Sequence, residues 1–162
     1  VINSFIVSSS KFDEQVLVTG PSGSLKALLI SNADRSVNFA CSFKLVDGRG
    51  GMWIHENFQK GDFLDITIGP PNILPSDVPL ELSQGDKRIV HPVQVIRTEV
   101  LLNDKLLLAS EFKEGFCFQA ELEVFNNLCR INCFSIDGDL KVKDNLDALD
   151  LEIGDRVRFN FA

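Results

Sequence analysis

The sequence predicts an all-β chain, an antiparallel two-sheet β-sandwich, and three observations carry that prediction. Apolar and polar residues alternate with a period of two through most segments. Turn residues (Gly, Pro, Asn, Asp) interrupt the alternation about every 8–12 positions. No segment carries a long, capped stripe at the helical period.

The clearest strand runs from Ser36 to Val46. Val37, Phe39, Cys41, Phe43 and Leu45 take one face, while Asn38, Ala40, Ser42 and Lys44 take the other, wet one. The glycines of Asp47-Gly48-Arg49-Gly50-Gly51 then permit the positive φ of a tight reversal. The same grammar predicts strands over Val16–Thr19, ending at Gly20-Pro21, and over Leu25–Ile30, ending at Asn32-Ala33-Asp34. Further strands follow over Phe63–Ile68, Val93–Leu102 (turning at Asn103-Asp104), Phe116–Phe125 (turning at Asn126-Asn127), Ile131–Ile136 and Val157–Phe161. Asn145 to Leu151, with Asp144 as N-cap, is the one helical candidate, a turn or two long. Four prolines between Gly69 and Lys87 mark a long loop over 69–87, with a short edge strand at Val78–Leu82. Phe58-Gln59-Lys60-Gly61 and Phe112-Lys113-Glu114-Gly115 echo each other before a strand, which reads as one hairpin-entry turn used twice.

The 162 residues suit a single domain with a core that needs no metal or disulfide staple. Sixteen basic against 23 acidic residues leave a net charge of −7 and no basic run. Phosphate neutralisation dominates nucleic-acid affinity, so that partner class is disfavoured, as are anionic membrane surfaces. No apolar run reaches the roughly 18 residues of a membrane-spanning helix. The chain opens on Val1 rather than Met, consistent with a trimmed N-terminus, so no leader can be read from it.

Cys129 and Cys133 lie four apart on one predicted strand, about 13 Å along it, beyond disulfide reach. No C-x-x-C occurs, and His55 and His91 are remote in sequence from Cys41, Cys117, Cys129 and Cys133. Buried free thiols in a reducing, cytoplasmic setting are expected, with no zinc and no cofactor. Gly20-Pro21-Ser22-Gly23-Ser24-Leu25-Lys26 lacks the ending of a phosphate loop and precedes a strand, so it is a turn. Cys117 with His91 is arithmetically a nucleophile and base, but a buried strand cysteine is the expectation. The aspartates from Asp137 to Asp155 lack calcium-loop spacing and read as solvated turn charges. No enzyme is expected. Trp53, with His55 and Glu56 just after it, suits a sugar platform in which indole stacks on a pyranose and a carboxylate accepts hydroxyl hydrogen bonds. The competing reading is a core aromatic.

At these residues the sequence resembles the galectins, the β-galactoside-binding lectins of jelly-roll fold. Trp53-Ile54-His55-Glu56 is similar to the family's W-G-x-E, and Phe58-x-x-Gly61-x-x-Leu64-x-x-x-Ile68 to its F-x-x-G-x-x-F-x-x-x-I. Ile131-x-x-Phe134-x-Ile136-x-Gly138-Asp139-Leu140-x-Val142 is similar to its I-x-x-L-x-I-x-G-D-[VI]-x-L, with weaker echoes at Val16-x-Val18-x-Gly20 and Val100-x-x-Asn103. The resemblance implies a jelly-roll sandwich over 1–162, with 144–162 as a C-terminal extension. It implies a ligand face carrying Ser42, Lys44, Trp53, His55 and Glu56. Where the family has H-x-N-x-R, this chain has Ala40, Ser42 and Lys44. Only Trp53 and Glu56 keep the family's residue type, and the turn before Trp53 is about ten residues shorter than usual. Each sugar hydroxyl left without its partner costs about 1–3 kcal/mol, enough across three or four positions to remove most of a weak lectin's affinity. Lys44 also lacks the planar fork of Arg. The expectation is a galectin-like module retooled for a protein partner, whose last strand offers an edge for that partner or a second copy. A lectin of altered specificity is the alternative.

Overall fold

The structure, a computed structural model, describes residues 4–19, 23–31, 36–45, 51–69, 94–111, 117–125, 128–136 and 142–162. Within them every regular element is a strand, twelve in all. The first half of the chain holds β1 (Ser4–Ser9), β2 (Val16–Thr19), β3 (Gly23–Ser31), β4 (Val37–Leu45), β5 (Gly51–Phe58) and β6 (Phe63–Ile68). The second holds β7 (Arg97–Leu102), β8 (Lys105–Glu111), β9 (Cys117–Phe125), β10 (Leu128–Ile136), β11 (Val142–Leu151) and β12 (Arg156–Phe161). They form two six-stranded antiparallel sheets: sheet A, ordered β2-β1-β6-β12-β7-β8, and sheet B, ordered β11-β10-β9-β3-β4-β5.

The alternation seen in the sequence is what builds the core. Along β12, Val157, Phe159 and Phe161 are buried while Arg156, Arg158 and Asn160 are not. On β4, Val37 and Phe39 are buried and Asn38 between them is half-buried. Aromatic contacts join the layers. Phe58 of β5 stacks on Phe161 of β12 with ring centroids 4.7 Å apart, and Phe118 of β9 meets Phe159 of β12 edge-on at 6.2 Å. Such pairs each add about 0.5–1.5 kcal/mol beyond the area they bury.

The two halves are built alike. Each opens with an antiparallel pair in sheet A (β1–β2, β7–β8), places three successive strands in sheet B (β3–β5, β9–β11), and returns one strand to sheet A (β6, β12). A pseudo-two-fold relation follows from the strand orders, passing between β6 and β12 in sheet A and between β3 and β9 in sheet B. The crossing turns repeat in atomic detail. In Gln59-Lys60-Gly61-Asp62 the backbone N–H of Gln59 donates to Asp62 Oδ2 at 2.8 Å, and Gly61 has φ +95°. In Glu152-Ile153-Gly154-Asp155 the N–H of Glu152 donates to Asp155 Oδ2 at 2.8 Å, and Gly154 has φ +95°. Each turn then docks on the strand that the other turn feeds. The N–H of Gly61 donates to the carbonyl of Phe161, and the N–H of Gly154 donates to the carbonyl of Ile68.

Three sequence expectations change accordingly. The Phe58–Gly61 echo is a sheet-crossing turn within a repeated architecture rather than a hairpin entry, and its true counterpart is Leu151–Gly154; Phe112–Gly115 lies outside the described residues. The helix expected over Asn145–Leu151 is the edge strand β11. Cys133 pairs with Leu146 and Ile131 with Leu149 across a β-bulge. The extra residue absorbed there puts positions 146 and 149, an odd distance apart, on one face of the backbone. The last strand, expected as an open extension, is instead central, paired with β6 on one side and β7 on the other. The loop over 70–87, with its edge strand at 78–82, lies outside the described residues, as do Asp47–Gly50, Asn126-Asn127 and His91. The turn predicted at Asn103-Asp104 is there, with φ of 48° and 68°, the left-handed pair that a two-residue hairpin requires.

Both crossing-turn glycines have open space where a Cβ would sit, so substitution meets backbone strain alone. Gly61→Ala and Gly154→Ala should each cost about 1–2 kcal/mol. Urea denaturation midpoints should fall by similar amounts for the two; a silent substitution at either turn would refute their equivalence.

Candidate functional site on sheet B

The described backbone places all five predicted ligand residues on the β4–β5 pair. Ser42 sits directly opposite Trp53, Ala40 opposite His55, and Lys44 opposite Gly51. Directly paired residues share a face, so positions 42, 44, 53 and 55 belong together. Glu56 does not. It pairs with Phe39, which is buried, and stands two residues before the fully buried Phe58. Glu56 itself is only 9% exposed. The predicted platform of Trp53 with the Glu56 carboxylate is therefore split between the two faces of one strand. The cause is elementary: a separation of three is odd, and side chains on a strand alternate.

The polar face continues across the sheet with partners that the sequence reading missed. Trp53, Ser42, Lys26, Glu121 and Asn132 lie in one transverse row through β5, β4, β3, β9 and β10. A second row runs from Lys44 through Ser24 and Glu123 to Arg130 and Asp150. Alternation alone marks Glu121 and Glu123 as outward, since Ala120 and Leu122 are buried beside them. What it cannot reveal is that β9 adjoins β3 and so brings these acids into line with Ser42 and Lys44.

Described side chains show how the acidic half of this face is held. Gln119 is buried and donates from Nε2 to Glu121 Oε1 at 3.0 Å. Arg130 Nε donates to Asp150 Oδ1 at 2.9 Å, with both side chains more than half exposed, so this pair contributes little stability. Among the described residues no three His, Cys, Asp or Glu side chains converge as a metal-ligand set.

Cys117, Cys129 and Cys133 are free thiols, the last two fully buried on β10. Burial pushes the Cys133 thiol up from 9.0 to about 12. It does the same to Cys129, where the nearby charge of Asp155 adds to the effect. A thiol so raised is a poor nucleophile at neutral pH, because the thiolate is the reactive form. The geometry thus gives sheet B a polar face with an aromatic position at one end. No family model, curated protein or solved structure matches this chain.

The thiols give a signed pH dependence. A group that stays protonated in the native state but ionises when unfolded contributes stability that is intact below the unfolded pKa and is lost as pH rises through the window to the folded one. Stability should therefore decline between pH 9.0 and about 12, and Cys133→Ala should flatten that decline in denaturation curves taken across the window. An aromatic disulfide reagent should label Cys117 in the native protein, while Cys129 and Cys133 react only as fast as the chain unfolds. Rapid native labelling of all three would contradict this placement.

Proposed function

We propose that this chain is a non-catalytic binding module of galectin-like, jelly-roll design, in which the usual β-galactoside site is degraded and the outer face of sheet B takes a protein partner. The supporting observation is the pairing of Glu56 with Phe39, which withdraws from that face the carboxylate that the Trp-x-x-Glu pattern would offer to a sugar. Alongside Ala40, Ser42 and Lys44 in place of the lectin triad, little of a saccharide site is left on β4 and β5. A face that mixes an aromatic position with ions of both signs, among them the exposed Arg130–Asp150 pair, suits the polar surroundings of a protein contact.

A lectin of altered specificity is the second reading, favoured by one arrangement. Trp53 and Ser42 are direct partners, and Glu121 lies on the same row three strands from Trp53, about 14 Å away. A carboxylate from β9 would then serve a longer glycan, a sugar unit or two along from the one stacked on Trp53.

A glycan array at millimolar sugar separates the readings. The protein-partner reading predicts no specific hit, together with capture of one protein species by a photo-reactive residue at position 42 but not at position 160 on sheet A. A sugar bound by the parent chain and weakened at least about tenfold by Trp53→Ala, some 1.4 kcal/mol, would establish the lectin instead.

A further inference from the structure

The four strands that end the two sheets are not defended equally. β2 is four residues long. β8 carries a register shift against β7, and β11 carries two against β10. Shortness and bulges are the usual devices that keep a sheet edge from pairing with another chain. β5 has neither. It is eight residues long and pairs with β4 without interruption, from Val37 opposite Phe58 to Lys44 opposite Gly51. Among the described residues β4 is its one hydrogen-bonded neighbour.

We propose that two copies of the chain join through the edge of β5 into a closed two-fold dimer, in which sheet B of one copy continues into sheet B of the other. The pseudo-symmetry of the chain explains why the assembly stops at two. β5 and β11 are equivalent strands of the two halves and form opposite edges of sheet B. With both open, β5 of one molecule would pair with β11 of the next, a head-to-tail contact that does not close and grows into fibres. The two bulges of β11 close that route, and pairing of β5 with itself is what remains. A two-fold axis normal to the sheet sets the strands antiparallel and keeps the outer faces on one side, so residues of equal parity meet. Centring on Ile54 pairs positions 51 to 57 and sets Trp53 of each copy opposite His55 of the other.

Electrostatics permits the contact despite a net charge of −7 on each chain. Of positions 51 to 57 only Glu56 is an acid, and it is buried on the inner side of the strand, while the adjoining strand offers Lys44. On the outer face Glu121 and Glu123 sit on β9, three strands away, and Asp150 on β11, five away. At about 4.8 Å per strand the nearest of these is about 14 Å from β5, beyond the screening length of about 8 Å at physiological salt. Joined at β5, the acid-rich halves of the two copies point away from each other. The proposal does not depend on whether the outer face takes a protein or a glycan.

Sedimentation velocity on the full chain, from micromolar to submillimolar concentration, tests it. The parent chain should approach twice its 18.0 kDa mass. Trp53→Lys, which places a charge on the seam, should weaken association at least about tenfold. Leu106→Lys on the exposed edge β8 should leave it unchanged. Circular dichroism checks that each variant retains its β spectrum, and His55→Lys, at the next position of the same face, replaces Trp53→Lys if that variant unfolds. A parent chain that is monomeric throughout, that grows beyond two copies, or whose dimer survives the β5 lysine and dissolves with the β8 one would overturn the proposal.

Discussion

The arrangement depends on β6 and β12, the antiparallel pair at the centre of sheet A. Each enters through a crossing turn from sheet B, and each turn is bonded to the end of the other strand. Displacing one therefore breaks the docking of both. Side chains reinforce the pair on its outer face. Arg158 holds Asp65 through two hydrogen bonds, at 2.7 and 2.8 Å, and lies over the Phe63 ring at 4.3 Å. Asp65 is nearly buried, so a carboxylate there without its guanidinium would cost about 3 kcal/mol. On the inner face Leu64, Ile66, Val157, Phe159 and Phe161 put fully buried apolar side chains against sheet B. The two central strands thus link the core to the only bidentate ion pair among the described residues.

Much of this was legible in the sequence. Period-two alternation located β2, β6 and β12 almost to the residue, and Asn103-Asp104 announced its own turn. The failures share a cause: sequence spacing was read where pairing decides. Asn145 to Leu151 lacks strict alternation because a bulge between β10 and β11 permits an odd spacing on one face, and bulges are set by the partner strand. The last strand looked like an appendage because its two neighbours, β6 and β7, are about 90 and 60 positions earlier in the chain, separations at which no local pattern operates. The placement of Glu56 has a different origin. Alternation already put it on the opposite face from Trp53, and the motif match overrode that simple count.

The pseudo-two-fold relation gives a way to read which positions serve the fold and which do something else. Counting from Gly61 and Gly154, Phe58 answers to Leu151, Leu64 to Val157, Ile66 to Phe159 and Ile68 to Phe161, all buried. Symmetry-related positions that keep their character are the ones both sheets need. Asp65 answers to Arg158, and the two meet each other directly in register. In an assembly of two identical halves that position would face its own copy, Asp against Asp or Arg against Arg. Covalent linkage of the halves lets the pair become complementary, which turns a repulsive contact into an attractive one.

Sheet B departs from symmetry in a way that concentrates on β5. Glu56 is a buried carboxylate where the second half has Leu149, an apolar residue packed against the core. A buried acidic side chain needs a polar partner that a leucine at the twin position does not, so apolar packing alone does not account for it. Three positions before Glu56 the same strand places the chain's single tryptophan, and its pairing with β4 is unbroken where its twin β11 is bulged twice. Within sheet B, these divergences in charge and in edge protection thus fall on β5. In a fold built from two similar halves, the departures from symmetry are what the proposed binding face has to explain, and within sheet B they gather on β5, the strand paired with Ser42 and Lys44.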